Sequence, residues 1–331
     1  MRRFAARCRL LALPFLMVLQ ACSAGSELSA RVETFDLQAS GAAGGTYRVL
    51  LALPAEPVPP QGYPVIYLLD GNATLPMMLA AQDAARAGQG PAAVVGVGYP
   101  IDGPFDVQRR YWDLTPPTPP EYLLVKDGAP PPATGGRDVF WAFMERDLRP
   151  AIERRLPVDR ARQTLYGHSL AGLFTLHVLF THPDAFQTYV AADPSIWWND
   201  RSVLAEQAAF LDRWCGEERH GGRRIKLLVE IAGGKPATAG RSEGELARIA
   251  KLRSGPTGRD VARTLRDVPG FDVLFREFPE EGHGSMLPLS VADALAFALG
   301  NAPVGADAPT DGPFDGKTGS GCPRALPPAA E

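Results

Sequence analysis

The sequence has no basic block and no excess of positive charge. Its 34 Lys and Arg residues are outnumbered by 37 Asp and Glu, which gives a formal net charge of -3. Nucleic acid is not an expected partner, because its binding needs clustered positive charge. The 331 residues are 45% apolar and 21% charged, as in an ordinary globular protein. This length suits one large α/β domain or two small ones.

Long apolar runs are also lacking. The run 10-LLALPFLMVL-19 follows four arginines and is too short for a membrane span, which needs roughly 20 apolar residues. A charged start before such a run is typical of a secretory signal peptide. Its end, 19-LQAC-22, resembles a bacterial lipoprotein signal. That resemblance implies cleavage after Ala21 and a lipid on Cys22; the alternative is an ordinary signal peptide cut near Ala21 or Ala24.

The lipoprotein interpretation predicts a location as well. Removal of residues 1–21 takes away arginines and no acidic residue, so the mature chain is more acidic. Electrostatic attraction would not hold such a chain to an anionic membrane, and a lipid would have to do so. We therefore expect a periplasmic lipoprotein anchored in the outer membrane.

Cysteine is scarce, with four in the chain. Cys8 would be lost with the signal peptide and Cys22 would carry the lipid. Cys215 and Cys322 remain, in what should be an oxidising compartment. They either form a disulfide or stay as two free cysteines, and the sequence leaves both open.

Strand-like and helical segments alternate along the rest of the chain. Nearly continuous apolar runs are typical of parallel strands buried on both faces, and helical patterns fall between them. This alternation predicts an α/β fold, with a mostly parallel sheet and helices on both faces. The predicted strands are 46–54, 64–71, 92–100, 162–169, 188–195, 225–233 and 272–280, and the predicted helices are 138–156, 170–180, 243–252 and 289–299.

The domain boundaries follow from composition. Residues 22–45 are predicted to be a tether with a possible edge strand at 31–38, and residues 46–300 to form the α/β domain. Residues 101–136 are rich in proline and glycine, and a loop of this length is usually functional or disordered. Residues 301–331 have few large apolar groups, which predicts a flexible tail.

The stretch 165-LYGHSLAG-172 has the features of a nucleophile elbow. A predicted strand precedes Ser169 and a predicted helix follows it, as in a Gly-x-Ser-x-Gly turn that exposes a serine. Ala171 replaces the second glycine, yet it is small enough for close packing of strand and helix. The competing interpretation is a buried serine that caps the helix. We interpret Ser169 as a nucleophile.

A serine nucleophile needs a base, and His283 is the best placed of the five histidines. It follows the last predicted strand, in 280-EEGHGSM-286, where glycines on both sides suit a loop over the sheet. His168 is adjacent to Ser169 in the chain and is expected to point elsewhere. The order serine, then histidine, is that of α/β-hydrolases.

These motifs carry a family resemblance. The strings 64-PVIYLLDGNA-73, GHSLAGLF, 193-DPSIWW-198 and EGHGS resemble the putative esterase family of α/β-hydrolases, related to esterase D, from about Tyr47 to Leu299. The nearest likeness within it is to periplasmic esterases that open the trilactone of ferric enterobactin and salmochelin.

The resemblance implies the α/β-hydrolase fold and serine esterase activity, with no cofactor and no metal. It does not fix the substrate, because similar proteins include thioesterases and acyltransferases. A siderophore-binding lipoprotein without catalysis is a further alternative. The resemblance also implies an oxyanion hole made by the backbone N–H groups of Leu170 and Asn72.

The catalytic acid is harder to assign. Many similar proteins have acidic residues directly after the strand that reads 225–233 here, but this sequence continues with 233-GGKPATAGRSEGE-245. We assign the acid to Glu243, against the competing role of helix capping. Glu230 within the strand and Asp193 at the end of the strand after the elbow helix are the alternatives, as is a Ser–His dyad without an acid.

Arginine and aromatic residues cluster in the segments that follow the strands. A ferric catecholate carries negative charge and flat rings, and arginine suits both. We predict Arg109, Arg110 and Trp197 as substrate-binding residues. Taken singly, each arginine also fits a solvated surface and the tryptophan an ordinary core.

Overall fold

The computed structural model describes residues 30–41, 44–85, 90–124, 130–216, 224–234, 242–303 and 305–307. Within them lies one eight-stranded sheet. The predicted signal peptide and Cys22 lie outside the described residues. The strands are β1 (Arg31–Gln38), β2 (Thr46–Leu53), β3 (Tyr63–Leu69), β4 (Ala93–Gly98), β5 (Val158–His168), β6 (Thr188–Ala192), β7 (Ile225–Ala232) and β8 (Phe271–Phe278).

The sheet has the order β1-β2-β4-β3-β5-β6-β7-β8. β1 and β2 pair antiparallel, and so do β2 and β4. The pairs from β4 through β3, β5, β6 and β7 to β8 are parallel. The prediction of a mostly parallel α/β sheet is therefore confirmed. The edge strand predicted at 31–38 is β1, which pairs with β2 along its whole length.

Helices cover both faces of the sheet. They are α1 (Gly71–Ala84), α2 (Val107–Leu114), α3 (Arg137–Phe143), α4 (Arg149–Glu153), α5 (Leu170–Thr181), α6 (Trp198–Gly216), α7 (Glu243–Arg253), α8 (Gly258–Arg266) and α9 (Leu287–Ala298). One face packs against α1 and α9, the other against α5 and α8, with α6 beyond α5. Because side chains alternate along a strand, Val65 and Tyr67 of β3 enter one core while Ile66 and Leu68 enter the other.

Several helices differ from the prediction. The segment predicted as the helix 138–156 is α3 and α4, joined by a π-helical turn at Met144–Leu148. The predicted loop 101–136 contains α2, whose Asp106 cap accepts the Arg109 N–H at 3.0 Å. Prolines and glycines on both sides of α2 obscured its pattern.

α1, α6 and α8 were not predicted either. α1 carries Gly71 at its first position and Pro76 inside, both of which normally argue against a helix. Gly71 is needed there, because a Cβ would lie 2.5 Å from the carbonyl carbon of Gly96.

Residues of the predicted tail pair with the edge strand β8. Phe275 N–H donates to the Asp307 carbonyl at 2.8 Å, and Asp307 N–H donates back at 3.0 Å. The sequence left open whether Cys215 and Cys322 form a disulfide or stay free. Cys215, at the end of α6, is disulfide-bonded, whereas Cys322 lies outside the described residues. No helix in the described parts of the chain is both long and apolar enough to cross a membrane.

Candidate active site

Ser169 occupies a sharp turn between β5 and α5. Its backbone has φ 63° and ψ -117°, a region that non-glycine residues rarely enter and that costs about 1–3 kcal/mol. A Cβ at Gly167 would lie 2.2 Å from the Ala171 carbonyl oxygen, and one at Gly172 would lie 2.9 Å from the Ala192 carbonyl oxygen. The strained serine and its small neighbours have the geometry of a nucleophile elbow.

His283 faces this serine from the loop between β8 and α9. Its Nε2 atom lies 2.9 Å from Ser169 Oγ, within reach for transfer of the hydroxyl proton. The two residues are far apart in the chain but meet at the carboxyl edge of the parallel strands, where α/β proteins place their ligands. The structure thus brings together the two residues predicted to carry the chemistry.

The carboxylate beside His283 is Asp193. Its Oδ2 lies 2.5 Å from His283 Nδ1. Asp193 directly follows β6 and has φ 38°, and its N–H donates to the Glu230 carbonyl at 2.7 Å. That bond to the neighbouring strand holds the unusual backbone and directs the side chain to the imidazole. Asp193, His283 and Ser169 are therefore joined by a continuous chain of hydrogen bonds.

Glu243, the residue assigned as the acid from the sequence, is placed elsewhere. It is exposed at the first position of α7, and the capping box of that helix is made by Ser242 and Glu245. Glu230 is fully buried and accepts a hydrogen bond from Ser290. The position next to His283 therefore belongs to Asp193, which the sequence analysis kept only as an alternative.

The side chain of His168 contacts the loop that carries His283. Burial lowers the pKa of His168 to about 3, so its ring is neutral and one nitrogen carries a proton. Nε2 lies 2.8 Å from the His283 carbonyl oxygen, which can only accept, so Nε2–H donates. The two imidazole rings are 4.6 Å apart. The expectation that His168 points away from the site is wrong.

The two predicted oxyanion donors stand at helix starts. Leu170 is the first residue of α5 and Asn72 the second of α1, and N–H groups of a first turn have no partner within the helix. The Asn72 amide ties α1 to the end of β4, since Oδ1 accepts from Tyr99 N–H at 2.9 Å and Nδ2 donates to the Tyr99 carbonyl at 3.0 Å. A Cβ at Gly98 would collide with Asn72 Oδ1.

Arg110 holds the turn that carries Asn72. Its guanidinium donates to both carboxylate oxygens of Asp70, at 3.1 and 2.9 Å. Asp70 is buried and left-handed, with φ 54°, and it immediately precedes the first residue of α1. The ion pair is mostly removed from water, where two-point contacts of this kind are strong. In this structure Arg110 positions the protein backbone.

Arg109 is half-buried and also contacts other residues of the protein. Its guanidinium lies 3.3 Å from the buried Asp113 carboxylate and 4.9 and 5.2 Å from the ring centres of Tyr47 and Tyr99. Asp113 also accepts the Tyr47 hydroxyl at 2.9 Å. These contacts join α2 to β2, and substrate binding by Arg109 stays a prediction.

Trp197, the third predicted binding residue, does border the site. It is half-buried and lines a cavity of about 150 Å³ together with Asp193 and His283. The Arg253 guanidinium lies over its indole, 5.4 Å from the ring centre. Arg253 was not singled out in the sequence, because it comes from α7, far along the chain.

Comparison with known proteins decides the family. A family model described as putative esterase matches residues 40–247. The chain is 39% identical to the ferri-bacillibactin esterase BesA of Bacillus subtilis, over 77% of this chain and 85% of that protein. The chain belongs to the putative esterase family. It is an ester hydrolase, and the family resemblance seen in the sequence is confirmed.

A further relative and a solved structure support the same family and fold. The apo-salmochelin esterase of Escherichia coli O6:H1 is 29% identical, over 75% of this chain and 73% of that protein. The crystal structure of the BES protein from Bacillus cereus superimposes with a TM-score of 0.66 at 32% identity, and covers 81% of this chain and 95% of that chain. The α/β-hydrolase fold is thereby confirmed.

Within the residues that the structure describes, no group of three or more His, Cys, Asp or Glu is arranged to hold a metal ion.

Proposed function

We propose that the protein is a serine esterase in which Ser169 is the nucleophile, His283 the base and Asp193 the orienting acid. The observation that carries this proposal is the continuous hydrogen-bond chain from Ser169 Oγ to His283 Nε2 and from His283 Nδ1 to Asp193 Oδ2. This arrangement is the one in which a histidine takes a serine proton while a carboxylate fixes its tautomer.

In the first step, Ser169 Oγ attacks the ester carbonyl carbon and its proton moves to His283 Nε2. The carbonyl oxygen becomes an oxyanion, which the N–H groups of Leu170 and Asn72 would stabilise; each such donor contributes about 3–4 kcal/mol to the transition state. The bond to the leaving oxygen then breaks, and the imidazolium returns its proton to the alcohol.

In the second step, water hydrolyses the acyl-enzyme. His283 accepts one water proton while the hydroxide oxygen bonds to the acyl carbon. The serine oxygen leaves and takes the proton back, so the free enzyme and a carboxylic acid result. Asp193 accepts Nδ1–H throughout and stabilises the positive charge of the imidazolium.

The proposed substrate is the ester backbone of a siderophore, namely the trilactone of a ferric catecholate of the enterobactin or salmochelin type. Support comes from relatives named ferri-bacillibactin esterase and apo-salmochelin esterase. A general acyl esterase, a thioesterase or an acyltransferase on the same fold is the alternative, and an acyltransferase would favour an alcohol over water as acceptor. A siderophore-binding lipoprotein without catalysis is disfavoured by the complete hydrogen-bond chain.

The proposed location is the periplasm, with a lipid on Cys22 anchoring the protein in the outer membrane. Support comes from the sequence pattern of residues 1–22. Metabolic labelling with a palmitate analogue tests it: Cys22→Ser should abolish labelling, and an unlabelled wild-type chain would refute the anchor.

The catalytic proposal is tested by hydrolysis of p-nitrophenyl acetate. Ser169→Ala should reduce kcat by at least about 10³-fold, because the nucleophile is removed. Ser40→Ala, at an exposed serine outside the site, is the matched control and should retain full activity. A fluorophosphonate probe should label the wild type and the control but not Ser169→Ala. Unchanged turnover by Ser169→Ala would rule out the mechanism.

The substrate proposal needs a separate measurement. Wild-type enzyme incubated with ferric enterobactin should release linear fragments that chromatography resolves, and Ser169→Ala should release none. If the enzyme hydrolyses p-nitrophenyl acetate but leaves the trilactone intact, the proposed mechanism is supported and the proposed substrate is refuted.

A further inference from the structure

A cavity borders the acid side of the site. It lies between the ends of β6 and β7 and the loop that joins α7 to α8, and its volume is about 150 Å³. Asp193 and His283 form one wall, so anything bound there lies beside the reacting groups. Ile196, Trp197, Ile231 and Arg253 are among the other lining residues. The mechanism proposed above uses none of these four.

The walls combine a flat aromatic surface with one cation. Trp197 contributes the indole, and Arg253 places its guanidinium 5.4 Å from the centre of that ring. An indole face attracts another flat ring, and a guanidinium binds an anion as well as a ring face. The isoleucines at 196 and 231 supply apolar contact. This combination matches a ligand that is planar and negatively charged.

The backbone next to Trp197 is strained. Asn199, Asp200 and Arg201 all have positive φ, at 47°, 47° and 60°. Consecutive left-handed residues other than glycine are uncommon, and each costs about 1–3 kcal/mol. Strain of this kind persists only where the surrounding structure holds it, and it concentrates at functional sites.

The left-handed turn is held by contacts with the opposite wall of the cavity. Arg201 Nε donates to the Ser254 carbonyl at 3.1 Å, and its Nη2 donates to the same oxygen. Gly255, with φ 94°, lies so close that a Cβ there would be 2.9 Å from Arg201 Nε. Ser254 directly follows Arg253. The clamp therefore fixes the segment that carries Trp197 against the segment that carries Arg253.

We infer that Trp197 and Arg253 form a specificity subsite that binds a negatively charged aromatic ring of the ester substrate beside His283. The inference rests on the proposed function and adds residues and a charge preference to it. Trp197 selects for a planar group and Arg253 for its negative charge. The left-handed turn and the Arg201 clamp position both residues before the substrate arrives.

The test uses benzoate as a competitive inhibitor of p-nitrophenyl acetate hydrolysis. Arg253 is exposed, so Arg253→Gln should raise the inhibition constant of benzoate about two- to fivefold, the loss expected for a charge contact at an exposed site. It should leave the inhibition constant of the neutral benzyl alcohol unchanged. Trp197→Leu should weaken both aromatic inhibitors, and cyclohexanecarboxylate should bind the wild type more weakly than benzoate does.

The matched control is Lys251→Gln, which removes the same charge from an exposed position on α7. It should leave all inhibition constants unchanged. Equal effects of Lys251→Gln and Arg253→Gln on benzoate would reduce the result to general electrostatics and overturn the subsite. So would a wild type that binds cyclohexanecarboxylate as tightly as benzoate.

Failure of the subsite and failure of the proposed catalysis are distinguishable. Benzoate binding to Ser169→Ala can be followed by tryptophan fluorescence, which needs no turnover, and Arg253→Gln in that background should weaken it to the same extent. If Ser169→Ala abolishes turnover but Arg253→Gln does not change the affinity for benzoate, the catalytic mechanism is supported and the subsite is refuted.

Discussion

At the scale of single residues, the site depends on backbone positions that are individually unfavourable. Asp70, Ser169 and Asp193 all have positive φ, and each adjoins a predicted or observed part of the site. Each is also fixed by a neighbouring strand or side chain: Arg110 holds Asp70, the Ala192 carbonyl accepts the Ser169 N–H at 2.9 Å, and the Glu230 carbonyl accepts the Asp193 N–H. The strained backbone at these three positions therefore orients the groups of the site and is held in place by their neighbours.

Asp193 gives the sharpest prediction at this scale. Asp193→Asn should lower kcat by about 10²–10⁴-fold, because an amide cannot hold His283 in the tautomer whose Nε2 accepts the serine proton. Glu243→Gln is the matched control and should retain wild-type kcat, since Glu243 is exposed at the start of α7. Steady-state kinetics with p-nitrophenyl acetate measures both. A large loss for Glu243→Gln together with an active Asp193→Asn would restore the assignment made from the sequence.

His168 shows what alternation along a strand could have predicted. Tyr166 and His168 are two apart in β5 and so point to the same face of the sheet. Tyr166 meets Ser290 of α9 at 3.1 Å, and His168 meets the loop that leads into α9. This contact could not be predicted from the position of His168 next to Ser169 in the chain. The alternation of side chains between the two faces of a strand does indicate it. The acid was harder, because its neighbour in space, His283, lies on a loop whose path no local pattern specifies.

At the scale of elements, the strands were predictable and several helices were not. A strand covered on both faces is an unbroken apolar run, and each of the seven predicted runs is a strand of the sheet. α1 was not predicted because Gly71, which is needed for close backbone approach, and Pro76 inside the helix both indicate a break. α2 was not predicted because prolines and glycines flank it in the sequence. Missing α2 also hid the reason for Arg110, which reaches Asp70 only from that helix.

A buried acidic pair between β7 and α9 yields a prediction for stability. Glu230 is fully buried beside Asp293 and accepts a hydrogen bond from Ser290, while Arg276 pairs with Asp293. Burial, together with Asp293, raises the pKa of Glu230 well above its ordinary value. The folded protein therefore keeps a proton that the unfolded chain releases above about pH 4.3.

The sign of the effect follows from that retained proton. As pH rises past the unfolded pKa, the folded state binds more protons than the unfolded chain, so the free energy of unfolding falls until the folded pKa is reached. Glu230→Gln keeps the shape of the side chain and removes the titration, so its stability should decline less between pH 5 and pH 9. Urea unfolding across that range measures this, with the exposed Glu243→Gln as control. Parallel curves for wild type and Glu230→Gln would contradict it.

At the scale of the whole molecule, the two edges of the sheet are treated differently. β1 closes one edge with an antiparallel pairing to β2. The opposite edge, β8, receives the bridge between Phe275 and Asp307, where an unpaired strand edge would otherwise be exposed to other chains. The segment predicted as a tail thus begins with residues that belong to the sheet, because backbone pairing needs no large side chains and left no apolar signal in the sequence.

The partner of Cys215 in its disulfide depends on how the N-terminus is processed. If Cys8 leaves with a signal peptide and Cys22 carries a lipid, Cys322 is the remaining partner among the four cysteines. Peptide mapping of mature protein without reductant should therefore yield a Cys215–Cys322 cross-linked peptide. Cys322→Ser should lower stability by about 2–5 kcal/mol, as for loss of a native disulfide. It should leave kcat unchanged, because Cys215 lies at the end of α6 and does not line the site. A cross-link from Cys215 to Cys22 would instead disprove lipidation, since one thiol cannot carry both bonds.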